Sequence, residues 1–511
     1  MKELRLELEQ RLGRDAEQER DQERDQERDQ ERDPKRDSEQ KGERAQVRQQ
    51  EQKREKESGM LLSFYGDDFT GSTDVMEALA LNGVRTVLFL EPPTPEVLAE
   101  QFPDVRAFGV AGVSRAMSPD EMQRELEPIF ERLRAIPTPI VHYKICSTFD
   151  SSPEVGSIGR AIELAAAIDP EQRCVPLLVG VPELKRYTVF GHHFAAVGER
   201  THRLDRHPTM SRHPVTPMDE ADLRVHLSRQ TDKTIGLMDI LDLAGDGEAV
   251  RRRLAARMAD GPDVLLYDVL DGERLKRAGE LIWEAAAQGE NRVVVGSSGI
   301  EYALTAHWRE IGSAVPDAAM LQPRGAVDRL LVVSGSCSPT TESQIRHAIA
   351  AGFAAVPIQA DKLVDPATAE QERRRLTEQA NALLREGRSP LLYTALGAED
   401  RAIGATREKL AGTGRAAADT GQLIGEQLGR LTREVVADNR LTRFLVAGGD
   451  TSGFVTRELG IYALECLMPL APGGPLCRGY AKDARFDGVE LALKGGQVGR
   501  EDYFVRVLQG R

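Results

Sequence analysis

The chain has 511 residues, of which 40% are hydrophobic, and a formal charge of −14 at pH 7. This length gives room for about two or three domains with sizeable cores, and the acidic charge argues against general nucleic-acid binding. No window approaches the ~20 apolar residues of a membrane span, and the N-terminus lacks the apolar segment of a signal peptide, so we expect a cytoplasmic protein without a membrane partner. The five cysteines are scattered without zinc-site or disulfide spacing, which predicts reduced thiols.

Residues 1–58 differ in composition from the rest of the chain. The tetrad DQER recurs through residues 21–32, aromatic residues are absent, and Pro34 interrupts any continuous helix. Such a segment cannot bury a core, so we predict a disordered or partly helical charged extension. A tether or partner-binding role is the alternative to inert solvated sequence.

Residues 61–80, LLSFYGDDFTGSTDVMEALA, predict a buried strand, an acidic loop and an amphipathic helix. Asp67 and Asp68 then lie at the carboxyl end of a strand, where open α/β sheets place their ligands. A carboxylate there can accept a hydroxyl proton or hold a polyol. The alternative is that both acids only cap the helix.

Short apolar runs alternate with helical stretches along the rest of the chain, which indicates a mainly parallel sheet covered by helices. The sequence loosens after Trp308, and we place a domain boundary near residue 322. We therefore predict an α/β protein with two Rossmann-like domains, residues 59–322 and 323–511, and a cleft between them. The apolar runs are residues 84–90, 140–145, 175–179, 264–267 and 292–295 in the first domain, and 330–333, 355–358, 390–393, 444–447 and 491–494 in the second.

Three loops of small and polar residues follow strands of the second predicted domain: residues 334–341 (SGSCSPTT), 448–453 (GGDTSG) and 494–499 (KGGQVG). Glycines let backbone N–H groups and hydroxyls approach phosphate oxygens at a helix N-terminus. Three such loops in one domain favour a phosphate-bearing ligand. Neither the P-loop pattern nor the dinucleotide fingerprint occurs, which disfavours a nicotinamide dehydrogenase.

The segments GDDFTG, KICST, GSCSPTT, GGDTSG and KGGQVGRED occur in this order, and together they resemble the four-carbon acid sugar kinase family over residues 61–507. The resemblance implies an ATP-dependent kinase whose N-terminal domain binds a short sugar acid and whose C-terminal domain binds ATP. It is compatible with a homodimer, and it gives the extension no counterpart. The alternative from another class is a non-catalytic regulator that binds a nucleotide or metabolite, against which the retained acids at Asp67 and Asp68 weigh.

The resemblance also implies site residues, carried over by position. Asp67 or Asp68 contacts the substrate, and one of them deprotonates the attacking hydroxyl. Arg115 holds the substrate carboxylate and Lys144 stabilises the transferring phosphoryl group. The pocket is lined by Lys144, Ile145, Cys146 and Ser147. The ATP site comprises Ser336, Ser338, Gly448, Gly449, Asp450, Thr451, Ser452, Gly453, Gly495 and Gly496, with Asp450 holding Mg²⁺ through water.

Two segments bear on which sugar acid is bound. Where threonate and erythronate kinases carry Lys-x-Asp-Ser-Thr, this chain has Cys146 in place of the acid and Asp150 shortly after it. A loop at residues 204–218 carries Arg206 and His213; its histidines lack strict metal-ligand spacing, so anion or polyol recognition is favoured over a metal. This combination resembles the branch of the family that acts on 3-oxo-isoapionate, a branched oxo acid. The alternative substrates within the family are 3-oxo-tetronate, D-threonate and D-erythronate.

Overall fold

Strands and helices alternate from residue 62 onward, and every apolar run predicted from the sequence forms a strand. The structure, a computed structural model, describes residues 59–511 except 168, 214, 290–291, 315–320, 414 and 416–419. The extension predicted for residues 1–58 lies outside the described residues. The strands are β1 Leu62–Gly66, β2 Thr86–Phe89, β3 Ala107–Ala111, β4 Ile140–Lys144, β5 Val175–Leu178, β6 Arg186–Val189, β7 His192–Val197, β8 Arg200–Arg203, β9 Ile235–Met238, β10 Val264–Tyr267, β11 Val293–Gly296, β12 Leu331–Ser334, β13 Ala354–Pro357, β14 Pro390–Tyr393, β15 Arg443–Ala447, β16 Ile461–Met468, β17 Leu476–Ala481 and β18 Glu490–Lys494.

Two parallel blocks of strands join edge to edge into one 15-stranded sheet. Its order is β13-β14-β12-β15-β18-β17-β16-β2-β3-β1-β4-β11-β5-β10-β9. The pairs from β18 through β17 and β16 to β2 are antiparallel, and the remaining pairs are parallel. At the joint, Leu464 of β16 lies opposite Leu88 of β2. The mainly parallel α/β fold predicted from the sequence is confirmed, and the joint shows that both halves share one sheet.

Helices pack on both faces of this sheet, so the central strands are buried on both sides. In β1, Leu62 and Phe64 face one hydrophobic core and Tyr65 faces the other. The helices of the described residues are α1 Phe69–Leu81, α2 Pro95–Gln101, α3 Pro119–Ala135, α4 Ile158–Ala166, α5 Leu223–Leu227, α6 Gly247–Ala259, α7 Gly272–Ala287, α8 Gly299–Glu310, α9 Pro339–Ala350, α10 Ala360–Leu363, α11 Ala369–Arg385, α12 Arg401–Gly412, α13 Thr420–Asn439, α14 Gly449–Glu458 and α15 Tyr503–Gln509. Among these residues no helix is both long and apolar enough to cross a membrane. All five cysteines are free thiols, as predicted.

A second, smaller sheet of β6, β7 and β8 is antiparallel and was not predicted. Most residues of β6 and β8 are polar or charged, and β7 begins with two histidines, so these strands lack the strongly apolar runs that mark the large sheet. The loop predicted at residues 204–218 follows β8 directly. It contains two short 3₁₀ turns, Leu204–Arg206 and Met210–Arg212.

Arg443, the first residue of β15, holds together the C-terminal half of the sheet. Its side chain is buried, and its Nε donates a hydrogen bond of 2.8 Å to Oε2 of Glu490 in β18. Nη1 donates to the carbonyls of Gly325 and Val507 at 2.9 and 3.0 Å. A buried guanidinium is costly to desolvate unless it is paired and hydrogen-bonded. Arg443 therefore anchors both the segment before β12 and helix α15 to the sheet.

Replacing Arg443 with Met should destabilise the protein by about 3–5 kcal/mol, because the Glu490 carboxylate and two carbonyls lose their buried partner. Chemical denaturation followed by circular dichroism measures this loss. Arg324→Gln is the matched control: Arg324 also bonds Glu490, at 2.9 Å, but it is exposed, so it should cost less than ~1 kcal/mol. Equal losses in the two variants would contradict the anchoring role.

Candidate active site

Asp67 and Asp68, the acid pair, follow β1 and begin α1. Asp68 is the N-cap of α1, where its Oδ1 accepts a hydrogen bond of 2.9 Å from the Gly71 N–H. Arg115, in the turn after β3, donates to both oxygens of Asp67, from Nε at 3.1 Å and from Nη2 at 2.7 Å. Nη2 also donates to Oδ1 of Asp68 at 2.6 Å. The acids therefore cap the helix and also form an ion-paired group at the carboxyl ends of β1 and β3.

The two carboxyl groups have different surroundings. The Asp67 side chain is 5% exposed, and both of its oxygens are bonded to Arg115. Burial raises the pKa of Asp67, and the Arg115 guanidinium opposes that rise. The Asp68 side chain is 28% exposed, and its Oδ2 has no hydrogen-bond partner among the described residues. Asp68 therefore has an oxygen available to a ligand.

Lys144, the last residue of β4, lies beside the acid pair. Its carbonyl accepts a hydrogen bond of 2.9 Å from the Asp67 N–H, and its side chain is buried. A Cβ placed on Gly71 would lie 2.8 Å from Lys144 Nζ and 2.4 Å from Asp68 Oδ1, so the ammonium and the carboxylate both approach this glycine. Burial raises the pKa of Asp74, one turn further along α1, and Lys144 lowers it. Sequence analysis missed Asp74, although its spacing of three residues from Gly71 places both on the same face of α1.

The loop after β4 brings Cys146 and Asp150 together. Cys146 Sγ lies 3.0 Å from the Thr148 hydroxyl, which donates a hydrogen bond of 2.7 Å to Asp150 Oδ1. Burial and the Asp150 carboxylate raise the pKa of the Cys146 thiol to about 11, so it is protonated at neutral pH. Phe149 has a φ of 58°, and its buried ring packs against His226. Packing thus holds the loop in a strained conformation.

The remaining residues predicted for the sugar-acid pocket lie in other environments. The Ile145 side chain is buried in the core, and the Ser147 carbonyl lies 2.8 Å from Nε2 of the buried His193. Arg206 has a side chain that is 76% exposed. His213 accepts a hydrogen bond of 3.1 Å through Nδ1 from its own loop. The structure shows no bond from these side chains to the acid pair within the described residues, and no metal-ligating cluster occurs there.

The three predicted glycine loops, residues 334–341, 448–453 and 494–499, meet in the structure and are called the glycine cradle. The Gly496 carbonyl accepts hydrogen bonds from the hydroxyls of Ser338 and Thr341. A Cβ on Gly335 would lie 2.2 Å from Thr451 Oγ1, so this glycine permits contact between two of the loops. Helix α9 begins directly after its cap Ser338, and α14 begins at the middle loop. Two helix N-termini therefore open onto one set of small residues, an arrangement suited to phosphate.

Within the middle loop, Gly448 has a φ of 132°, which side-chain-bearing residues rarely adopt. Asp450 lies exposed in the first turn of α14. The Ser452 hydroxyl is turned inward and donates a hydrogen bond of 2.7 Å to the Gly448 carbonyl. In the first loop, the Ser336 hydroxyl accepts a hydrogen bond of 3.3 Å from the Ser338 N–H. Asp450 is therefore the one carboxylate of this loop, and it is open to solvent.

Lys494, which ends β18, is a buried cation under the cradle that sequence analysis did not assign. Its Nζ donates to Thr341 Oγ1 at 3.0 Å and lies 3.5 Å from the Gly496 carbonyl. Both partners are uncharged, and burial lowers the pKa of Lys494 to about 7. The residue stands in the predicted KGGQVG loop, but its burial depends on the packing of α9. The cradle thus contains an ammonium whose charge no carboxylate among the described residues neutralises.

Thr70 connects the acid pair to the glycine cradle. A Cβ on Gly449 would lie 3.5 Å from Thr70 Oγ1, and a Cβ on Gly495 would lie 3.1 Å from Thr70 Cγ2. Likewise, a Cβ on Gly453 would lie 3.9 Å from the ring of the neighbouring Phe69. The residues immediately after Asp68 therefore touch the cradle of the other half. No sequence pattern identified Thr70, because its partners lie several hundred residues away.

Comparisons with known proteins match both halves. A model of a sugar-binding N-terminal domain matches residues 62–304, and a model of a nucleotide-binding C-terminal domain matches residues 331–504. A 3-oxo-isoapionate kinase of Paraburkholderia graminis is 46% identical over 89% of this chain and 95% of its own length. A 3-oxo-tetronate kinase of Pseudomonas fluorescens is 31% identical over 88% of this chain and 96% of its own length. A solved structure from Salmonella typhimurium LT2 has a TM-score of 0.69 at 25% identity, covering 87% and 98% of the two chains.

A sugar-binding half and a nucleotide-binding half that meet at an acid pair define a sugar-acid kinase. The chain belongs to the four-carbon acid sugar kinase family. The family predicted from the sequence motifs is thereby confirmed.

Gly71→Ala should lower kcat by ~10²-fold, because the added methyl group must displace Asp68 and Lys144 from their positions. The melting temperature should fall only modestly, because the better helix propensity of alanine partly offsets the weakened Asp68 cap. Steady-state kinetics and thermal melting measure the two effects. Gly404→Ala in α12 is the matched control, because nothing lies within 4 Å of a Cβ there. A fully active Gly71→Ala enzyme would refute this spatial constraint.

Nucleotide affinity should depend on the protonation of Lys494. Phosphates favour the ammonium form, so binding is tightest below the pKa of about 7 and weakens as the pH rises above it. The loss is up to about tenfold per pH unit until the pKa of the complex is reached. Calorimetry with ADP between about pH 7 and pH 9, where its phosphates are already ionised, measures this. Lys494→Arg should remove the pH dependence; an unchanged slope in that variant would contradict the assignment.

Proposed function

We propose that this kinase transfers the γ-phosphoryl group of ATP to a primary hydroxyl of a branched oxo-sugar acid, 3-oxo-isoapionate, to give its 4-phosphate. The observation that carries the proposal is the position of Thr70 between Gly449 and Gly495. It brings the acid pair against the glycine cradle, as direct phosphoryl transfer between two bound substrates requires. The 46% identity to a 3-oxo-isoapionate kinase supports the choice of substrate.

The division of labour between the halves is part of this proposal. Residues 59–322 would bind the sugar acid and residues 323–511 would bind ATP, with the boundary in the segment before β12. Residues 321–330 there form neither helix nor strand, and the two matched domain models end and begin on either side of them, at residues 304 and 331. A homodimer and a cytoplasmic location remain predictions from the sequence.

The residues of the cradle fit a magnesium-bound triphosphate. The N-termini of α9 and α14, with the loop at Gly495 and Gly496, would surround the phosphates, and the Lys494 ammonium would add positive charge. The exposed Asp450 carboxylate would hold Mg²⁺ through water, which suits an ion that keeps several waters and binds few carboxylates. When bound, Mg²⁺ neutralises charge between the β- and γ-phosphates.

Asp68 is the general base in this proposal. Its Oδ2 would take the proton of the substrate hydroxyl as the hydroxyl oxygen forms a bond to the γ-phosphorus and the bond from phosphorus to the β–γ bridging oxygen breaks, releasing ADP. Asp67 is less suited, because both of its oxygens are bonded to Arg115. Asp67 and Arg115 would orient Asp68, and the nearby Lys144 ammonium would stabilise negative charge on the transferring group.

The substrate assignment rests on the pocket loop as well as on the relative. Cys146 is a neutral thiol where threonate and erythronate kinases carry an acid, and Asp150 is linked to it through Thr148. A branched oxo acid would therefore find more room and less negative charge beside Lys144. The 31% identity to a 3-oxo-tetronate kinase makes 3-oxo-tetronate the competing substrate.

Coupled ADP-release assays across short sugar acids and oxo acids, with and without Mg²⁺, test the proposal. The enzyme should prefer 3-oxo-isoapionate over 3-oxo-tetronate, threonate and erythronate, and it should require the metal. Asp68→Asn should lower kcat by ~10²–10⁴-fold and leave ADP affinity unchanged, because only the proton acceptor is lost. Preference for a four-carbon acid would overturn the substrate assignment. Near-parental turnover in Asp68→Asn would overturn the assignment of Asp68 as the base.

A further inference from the structure

Two buried hydrogen-bond donors beyond Cys146 have no acceptor among the described residues. They are Nε of Arg186, the first residue of β6, and Nε2 of His207, which follows the 3₁₀ turn after β8. Buried polar groups in native proteins are nearly always hydrogen-bonded, and an unpaired one is costly. Two such groups close to a proposed substrate pocket suggest that a ligand supplies the acceptor.

The bonding of His207 identifies Nε2 as a donor. Its Nδ1 accepts hydrogen bonds of 3.2 Å from the backbone N–H groups of both Thr209 and Met210, so the lone pair is on Nδ1 and the proton is on Nε2. Burial lowers the pKa of His207, as does the nearby Arg186 guanidinium, which keeps the imidazole neutral. A buried neutral imidazole with a free N–H requires an oxygen acceptor.

Arg186 is a cation without a carboxylate at ion-pair distance among the described residues. Its Nη1 donates to the carbonyls of Leu184 and Ala196 at 3.0 and 3.4 Å, which fixes the guanidinium but does not neutralise it. Arg115 differs in this respect, because it is already paired with both members of the acid pair. Lys144 lies beside the acid pair, on the side of the transferring group, so Arg186 is the cation that can pair with a substrate anion away from the acid pair.

Cys146 is linked electrostatically both to the acid-pair side of the pocket and to Arg186. Its thiol interacts electrostatically with Arg115 and Lys144 and with Asp150. Arg186 interacts in turn with Cys146 and Asp150, and His207 interacts with Arg186 and Asp150. Cys146 and Asp150 are therefore within electrostatic range of Arg186, and Cys146 is also within range of Arg115 and Lys144 beside the acid pair.

We propose that Arg186 and His207 bind the carboxylate of the sugar acid, at the end opposite the hydroxyl that is phosphorylated. This inference rests on the proposed function and replaces Arg115, Arg206 and His213 as the expected anion-binding groups. The Arg186 guanidinium pairs with the carboxylate charge, and the His207 Nε2–H donates to one of its oxygens. The substrate then lies extended past Cys146, with its reacting hydroxyl at Asp68.

Binding calorimetry and steady-state kinetics on the full chain test this. Arg186→Gln should raise the KM for the sugar acid by roughly 10–100-fold while ADP affinity stays unchanged. His207→Asn retains an acceptor near the position of Nδ1 but lacks the Nε2 donor, whereas His207→Gln retains the donor and loses the acceptor. A substrate-binding role predicts that His207→Asn weakens sugar-acid binding more than His207→Gln does; a purely structural role predicts the reverse. Arg200→Gln in β8, an exposed position, is the matched control.

A substrate analogue with a carboxamide in place of the carboxylate identifies the group that is bound. The parent should discriminate strongly against it, and Arg186→Gln should lose most of that discrimination. If the parent is active and Arg186→Gln and His207→Asn both keep the parental KM for the sugar acid, the inference is wrong and the proposed function stands. If the parent phosphorylates no sugar acid, the proposed function fails and this inference fails with it.

Discussion

The antiparallel pairing of β2 with β16 places two parallel blocks of strands in one sheet, and the site depends on how closely the halves then approach. Thr70 limits this approach, because its side chain packs against Gly449 and Gly495 so closely that a side chain on either glycine would contact it. Because Asp68, the proposed base, is only two residues before Thr70, this contact would fix the distance between the phosphoryl acceptor and donor. Direct transfer between two bound substrates is sensitive to such distances.

The cations of the site differ in whether a carboxylate of the protein pairs with them. Arg115 is paired with the acid pair, so its charge is used to hold those carboxylates in place. Lys494 and Arg186 bond only neutral oxygens among the described residues. Burying a charge without a counter-charge is unfavourable, and an anionic ligand relieves that cost. Such a cation occurs in each half, which fits the proposed reaction between two anions.

The sequence by itself determined most strands of the two parallel blocks, the place of the acid pair and the composition of the glycine loops. These features are local: a strand needs a short apolar run, a helix cap needs an acid before an amphipathic segment, and close backbone approach needs glycine. The motif order was also sufficient to identify the family. Asp68 was expected at a strand end beside a helix, and it lies there.

Only the tertiary structure decided which side chains are buried together. The sequence drew attention to Arg206 and His213, yet the structure buries His207 of the same loop and Arg186 of the unpredicted β6, because loop spacing does not tell which face packs inward. Lys494 stood within a predicted motif, but its burial follows from the packing of α9 against the loop. Thr70 meets glycines several hundred residues away, and contacts of that separation arise from strand order and packing, which no local pattern encodes.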